Sequence, residues 1–288
     1  MTTDDRRPTT DDRRLTTPRG GRWSVVGGRW GLGAAAALVY AFLYLPLIVL
    51  LLYAFNSENV NSWPIQGFSL RWFAVLAQDL EPRAALVNSL LVALIATAIA
   101  VVLGTAAAFA LDRFRFIGRD TLNFAITLPI LLPGIVTGIA MVSFFTLANI
   151  RLSLATVVVG HTTFCIVLVM NNVLARLRRT ARSLEEASMD LGADPWMTFW
   201  HVTLPSIRSA IIAGALLAFT LSFDEIVVTF FLIGPQNTLP LWILGRIRLG
   251  QNFPEINAAA AIVIAISVPV VLLAQWLMRG DGADLPAV

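Results

Sequence analysis

The chain has 288 residues, 57% of them apolar and only 14% charged, with a formal net charge of +3. Soluble domains carry roughly 25% charged residues and a bilayer tolerates few ionised groups, so the composition points away from a soluble enzyme and into the membrane. All 21 basic residues are Arg; without Lys there is no Walker A loop, whose Lys must reach the phosphates, and no Schiff-base chemistry.

The N-terminus repeats itself, Thr2-Thr3-Asp4-Asp5-Arg6-Arg7 and then Thr9-Thr10-Asp11-Asp12-Arg13-Arg14. Residues 1–30 have too few apolar groups to offset their ordering entropy by burial, and a disordered tail is expected there. A twin-Arg export signal is the sharper alternative, but the apolar stretch that follows is long enough to span and lacks an obvious cleavage site.

A spanning helix needs about 20 mostly apolar residues. Six stretches meet that length: Gly31–Ser57, Ala84–Leu111, Thr121–Ile150, Leu152–Ala175, Ser206–Ile233 and Ile256–Met278. Together they make residues 31–279 one membrane domain, followed by a short C-terminal tail at 280–288. Pro129, Pro133, Gly134 and Gly138 loosen the third span, as proline and glycine do where neighbouring helices satisfy the freed backbone. Cys165, the one cysteine, lies inside the fourth span and behaves there as a small hydrophobe. His161 and His201 are far apart and form no zinc pattern, so no metal or resident cofactor is expected.

The arginines set the orientation. Seven precede Trp30, Arg113, Arg115 and Arg119 lie between the second and third spans, Arg176, Arg178, Arg179, Arg182 and Arg208 flank the connection between the fourth and fifth, and Arg279 follows the sixth. The opposite side holds only Arg71, Arg83, Arg151, Arg246 and Arg248. The positive-inside rule then puts both termini in the cytoplasm, as an even number of spans requires. Two outer connections are long enough to have structure: Asn56–Arg83, with interfacial Trp63, Trp72 and Phe73, and Gly234–Glu255, where Leu239–Leu249 forms either an interfacial helix or a dip into the membrane.

The connection between the fourth and fifth spans is the most informative segment. Ser183 with Glu186 reads as a capping box that starts a helix, Gly192 supplies its left-handed stop, and Asp194-Pro195 starts a second helix with Asp at the N-cap and Pro first. That helix carries Trp196, Phe199 and Trp200 and is expected to end near Leu204-Pro205. The product, residues 183–205, is a cytoplasmic two-helix hairpin with more apolar groups than a solvated loop needs. Such a patch marks a docking surface, unless the hairpin packs against its own spans or lies among the headgroups.

Asp224 and Glu225 fall within the fifth span, where an acid costs roughly 2.5–3.5 kcal/mol. At 1.5 Å per residue Asp224 lies roughly 27 Å from the start of that helix, toward the outer half of the membrane. The pair lines a polar path, sits at the outer membrane boundary, or holds the outer loop through Arg246 or Arg248. Neighbours point about 100° apart on a helix, so one of the two is expected to face the path.

The run Glu186-Ala187-Ser188-Met189-Asp190-Leu191-Gly192-Ala193, with Leu204-Pro205 downstream, resembles the EAA motif of bacterial ABC importer permeases; Ser188 stands for the second Ala of the usual pattern. The likeness extends over roughly residues 40–278. Asn88-Ser89-Leu90, Leu128-Pro129 and Pro133-Gly134 are similar to the wider superfamily, while His161-Thr162-Thr163-Phe164, Leu221-Ser222-Phe223-Asp224-Glu225 and Pro254-Glu255-Ile256-Asn257-Ala258 look closest to its spermidine/putrescine branch. The resemblance implies an all-α type I importer permease fold: six transmembrane helices with a cytoplasmic coupling-helix hairpin, in a bacterial inner membrane. It implies coupling roles for Glu186, Ala187, Ser188, Gly192, Ala193, Leu204 and Pro205, and pathway candidates in Asp224 and Glu225. The implied partners are a second permease subunit, an ATPase dimer that binds ATP and Mg, an extracytoplasmic solute-binding protein and membrane lipid, with no nucleic acid. Ferric iron, thiamine, sulfate and molybdate remain alternative cargoes. A transporter driven by an ion gradient and a membrane-embedded enzyme are the rival classes, distinguished by whether an ATPase co-purifies.

Overall fold

A computed structural model describes residues 25–250 and 253–280. Most of the two expected tails lies outside these residues, although Val25, within the stretch read as tail, already opens a helix. The chain divides into two units, 1–48 and 49–288. The first holds most of α1 (Val25–Ala54), whose Gly31–Ala54 portion is apolar enough to span a membrane.

The second unit is built from α2 (Arg71–Gln78), α3 (Leu80–Arg113), α4 (Arg119–Leu131), α5 (Gly134–Leu147), α6 (Leu154–Leu177), α7 (Ser183–Asp190), α8 (Pro195–Thr198), a π turn at Phe199–Thr203, α9 (Leu204–Asp224), α10 (Val227–Leu232), α11 (Leu239–Leu249) and α12 (Phe253–Gly280). Its core is the packing of α3, α6 and α9 around Ala100, Ala108, Cys165, Val169, Met170 and Ala218. Small residues let these backbones approach, as membrane helices require. A side chain at Gly104 would meet the Ile166 carbonyl at 2.8 Å, and one at Gly214 would meet Val169 Cα at 2.9 Å. A second cluster unites α2, the start of α3, α11 and α12 through Trp72, Leu76, Ala85, Leu239, Trp242 and Ala258. Trp72 Nε1 donates to the Asn56 carbonyl at 2.8 Å there. Between the two clusters, the Leu239 N–H donates to Ser89 Oγ and Asn88 to the Asn237 carbonyl, tying α11 to the start of α3.

Among the described residues five helical stretches are long and apolar enough to cross a membrane, and a sixth crossing exists if α4 and α5 together make one span. The expected third span, Thr121–Ile150, is not one helix: α4 and α5 meet at 108°. Pro133 has no N–H to donate and forces the preceding Leu132 into extended backbone (φ −80°, ψ 144°). The expected fifth span, Ser206–Ile233, is cut as well. α9 stops at Asp224, Glu225 is extended, and α10 is a separate helix. At its other end α9 runs further back than expected. The second hairpin helix does not end near Leu204-Pro205, because α8 passes through the π turn directly into α9, making Pro195–Asp224 one 30-residue stretch. Pro205 explains the π turn. In an α-helix its ring would press on the His201 carbonyl, whereas here the Leu204 N–H reaches back five residues to the Phe199 carbonyl and the turn widens. The segment Leu239–Leu249 is the helix α11, capped by Gly250 at φ +65°.

Candidate functional site

The two ends of α9 each carry a built site. At the first end, α7 and α8 form the hairpin. Ser183 does not cap it. Arg182 is already helical, and its carbonyl accepts from the Glu185 and Glu186 N–H groups at 3.0 and 3.1 Å, so the first-turn donors need no side chain. Gly192 takes φ +92°, a conformation that penalises any Cβ. Asp194 accepts from the Met197 N–H at 2.7 Å and Pro195 opens α8, as the sequence predicts. Ser188 Oγ meets Thr198 Oγ1 at 3.1 Å and the Ala193 N–H reaches the Ser188 carbonyl at 3.1 Å, locking the two hairpin helices together.

Glu185, which the sequence reading passed over, anchors this hairpin. Its Oε1 accepts from Arg113 Nη2 at 2.5 Å and from Thr203 Oγ1 at 2.9 Å, joining α7 to the end of α3 and to the π turn. Arg176 Nε donates to the Ser206 carbonyl at 3.0 Å, binding the end of α6 to the same base. Nothing local announces these partners, which lie 72 and 18 residues from Glu185 in the chain. Phe199 packs edge-on against Phe109 of α3. Glu186 and Ala187 point outward and are exposed. Beside them Leu184, Met189, Leu191 and Trp196 stay uncovered, Leu191 at 91% and Trp196 at 70% exposure. Trp196 packs against the neighbouring Phe199 and Trp200, yet all four groups keep 45% or more of their surface exposed. Leu204 is half-buried and Pro205 exposed where the π turn enters α9.

The far end of α9 is the break at Asp224-Glu225. Asp224 is exposed. Glu225 is engaged: its Oε1 accepts from the Val228 N–H at 2.9 Å, capping α10. Because the helix ends between them, the two acids are not the helical neighbours expected from the sequence. Nor does either hold the outer loop through Arg246, which pairs instead with Glu81 at 3.1 Å and Asp79 at 4.0 Å.

His161 of α6 spans this break. It is buried, with Nδ1 2.8 Å from Ser222 Oγ on α9 and Nε2 2.9 Å from Thr229 Oγ1 on α10. Thr229 also donates to the Glu225 carbonyl at 2.8 Å, and Thr156 Oγ1 donates to the Leu232 carbonyl at 2.7 Å. The helix α10 sits against Gly134 and Gly138 of α5 and Gly160 of α6; added methyl groups at Gly138 and Gly160 would run into Phe231 and Leu232, while one at Gly134 would rest in ordinary contact with Val227. The break in the fifth span therefore abuts α5, which follows the break in the third. Among the described residues no group of His, Cys, Asp and Glu has a metal-holding arrangement.

An all-helical membrane domain with two broken helices and an outward hairpin between consecutive spans is the architecture of an importer permease. Residues 100–280 match the family described as "Binding-protein-dependent transport system inner membrane component", and the chain belongs to that family, the permease subunits of ABC importers. It is 40% identical over 248 residues to the putrescine transport system permease protein PotI of Escherichia coli (strain K12), covering 83% of this chain and 87% of that one. It is 34% identical over 249 residues to the spermidine/putrescine transport system permease protein PotC of the same strain, covering 86% and 93%. In fold it is similar to a chain of a bacterial ABC transporter that imports the polysaccharide alginate (TM-score 0.69, 17% identity, 90% of this chain and 99% of that one). It is likewise similar to a chain of an amino acid ABC transporter (TM-score 0.57, 14% identity, 74% and 99%).

Proposed function

We propose that this permease subunit carries polyamines of the putrescine and spermidine class into the cell, pairing with a second permease and drawing power from an ATPase dimer that seats on the hairpin. The observation that carries the coupling reading is the exposed apolar ridge Leu184, Met189, Leu191 and Trp196 on a hairpin continuous with α9. In this reading the hairpin and both termini are cytoplasmic, in agreement with the arginine distribution. The residues Glu186, Ala187, Ser188, Gly192 and Ala193 form the seat, and Leu204-Pro205 joins it to α9. ATP and Mg are held by the partner ATPase, and a solute-binding protein delivers cargo to the opposite face. The names of the relatives support the cargo, and so does exposed Asp224, whose carboxylate could replace part of a polycation's lost hydration by charge-assisted hydrogen bonds. Glu225 serves the same region by capping α10.

A photocrosslinker installed through M189C in the intact transporter is expected to capture a nucleotide-hydrolysing subunit; if it captures only lipid, the hairpin is not the ATPase seat. For the cargo, Asp224→Asn is expected to lower putrescine uptake into right-side-out vesicles or proteoliposomes severalfold while the ATPase still co-purifies. Unchanged uptake removes Asp224 from the path. A cognate binding protein whose melting rises with oxyanions or ferric iron rather than polyamines would redirect the cargo assignment and leave the coupling reading standing.

A further inference from the structure

The end of the second unit that carries the hairpin also carries a cleft of about 650 Å³ between the end of α3, the turn into α4 and the end of α6. Five arginines line it, Arg113, Arg115, Arg119, Arg178 and Arg182, against one carboxylate, Asp112. The arginines differ in what already holds them. Arg113 is paired, with Asp112 at 3.1 Å and with Glu185 at 2.5 Å. Arg119 donates to the Leu111 carbonyl through both Nε and Nη2, and Arg182 donates to the Asp112 carbonyl at 3.3 Å. Neither contact neutralises a guanidinium. Among the described residues, Arg115, Arg119, Arg178 and Arg182 have no carboxylate within ion-pair distance. The cleft is therefore a concentration of uncompensated positive charge whose Arg119 and Arg113 are fixed in place by the fold.

The rim says which anion fits. The turn Phe114-Arg115-Phe116-Ile117 puts apolar side chains out on either side of Arg115: Phe114 is 64% exposed and Ile117 fully so. Water gains nothing from three bare apolar groups on a four-residue turn, but the boundary between acyl chains and headgroups does. With the turn at that boundary, the arginines, which lie at or just beyond the ends of α3 and α6 and at the start of α4, stand at phosphate depth. Guanidinium forks bind phosphate oxygens in pairs, which a compact ammonium does not do.

We propose that this cleft is a binding site for the phosphodiester headgroup of an anionic lipid of the cytoplasmic leaflet. The proposal rests on the orientation given above. Arg113 belongs both to the cleft and to the ion pair with Glu185, so a seated headgroup adjoins the tie between α3 and the hairpin, and lipid composition then bears on coupling.

Native mass spectrometry of the intact transporter, released from nanodiscs that contain phosphatidylglycerol in phosphatidylcholine, tests this. The wild type should retain phosphatidylglycerol in preference to phosphatidylcholine. The variant R115Q/R178Q/R182Q, which changes only exposed side chains, should lose that retention by about a hundredfold, whereas R248Q on the opposite end should not. The single variants R115Q and R178Q give a partial loss each and serve if the triple variant melts early. Excess inorganic phosphate should leave the lipid in place. Equal retention by wild type and triple variant overturns the proposal, and so does displacement by phosphate, which would make the cleft a site for a soluble anion. The readout counts bound lipid without regard to which face is cytoplasmic. An inverted orientation would show separately, as labelling of the M189C thiol by an impermeant reagent from outside intact cells.

Discussion

The helix α9 ends in two different ways, and the contrast describes how the molecule can move. Toward the hairpin the chain avoids a break: Pro205 is absorbed by a π turn, and the helix continues back to Pro195. Toward the acidic pair the chain accepts a break, and α10 begins again at Val227. The bonds differ as well. Glu185 at the hairpin base meets the charged Arg113 close to solvent. His161 at the break meets two neutral hydroxyls in a buried setting. A displacement of the hairpin is thus carried along one continuous helix and arrives at a joint whose two sides are held by one side chain. An ion pair near water is weak and sensitive to salt; a buried neutral network is costly to leave half made. Under the coupling role proposed above, the first end is suited to being pushed and the second to having two discrete arrangements.

The shaft between the ends offers the largest expected effect. Gly214→Val places a side chain where even a Cβ would lie 2.9 Å from the Val169 backbone. Backbone of α6 cannot yield as a flexible side chain can, so α9 must move off it. We expect a loss of about 3 kcal/mol, read as a fall in the thermal midpoint of the purified transporter, with Gly214→Ala between it and wild type. A variant that melts like wild type would mean that α6 and α9 are not held this closely, and the rigid-shaft half of the comparison would fail.

Next in size is the joint. His161→Phe keeps the volume and removes both ring nitrogens, leaving Ser222 and Thr229 buried with one partner fewer. We expect a stability loss of about 2 kcal/mol and a fall in uptake, while crosslinking at Met189 is unchanged, because the hairpin end shares no bond with the joint. His161→Gln, which can still donate and accept, should recover part of both. If His161→Phe weakened capture at Met189 as strongly as it weakened uptake, the two ends would not be separable sites.

How much of this was legible beforehand follows from the range of the interactions. The spans show in composition, because a bilayer demands a long apolar run wherever it is crossed. Gly192 and Asp194-Pro195 show because a left-handed stop and an N-cap are decided by residues within one turn. The cap assigned to Ser183 failed because the backbone entering from Arg182 was already helical and satisfied the first donors itself. The break at Asp224-Glu225 was missed for a related reason. An acid inside an apolar run reads as an expense within a continuous helix, but Glu225 is there to cap the helix that restarts. Pro133 reads in the sequence as loosening a span, yet it ends a helix, since Leu132 is held extended before it. The bridging role of His161 does not show in the sequence because its partners are 61 and 68 residues away, a distance at which no local pattern speaks.

The smallest expected effect in stability is the most direct test of what separates the two ends. Arg113→Gln, Glu185→Gln and their combination form a cycle around a pair whose side chains are 16% and 17% exposed. Both groups are part-buried with a smaller solvent-facing portion, and the coupling should come out at about 1 kcal/mol. Glu185→Gln keeps an acceptor for Thr203, so the hairpin should stay folded, and the change should appear in cargo moved per ATP consumed rather than in melting. Salt gives the second reading. Charges near water interact over a Debye length of about 10 Å at 0.1 M, so raising salt should lower the coupling measured at Arg113 and Glu185. The His161 joint has no net charge to screen in its neutral form and should hardly respond. A coupling at the hairpin base that ignored salt would indicate that Glu185 acts through Thr203 and the π turn alone, with Arg113 a bystander, and the hairpin would then be tied to α9 but not to α3.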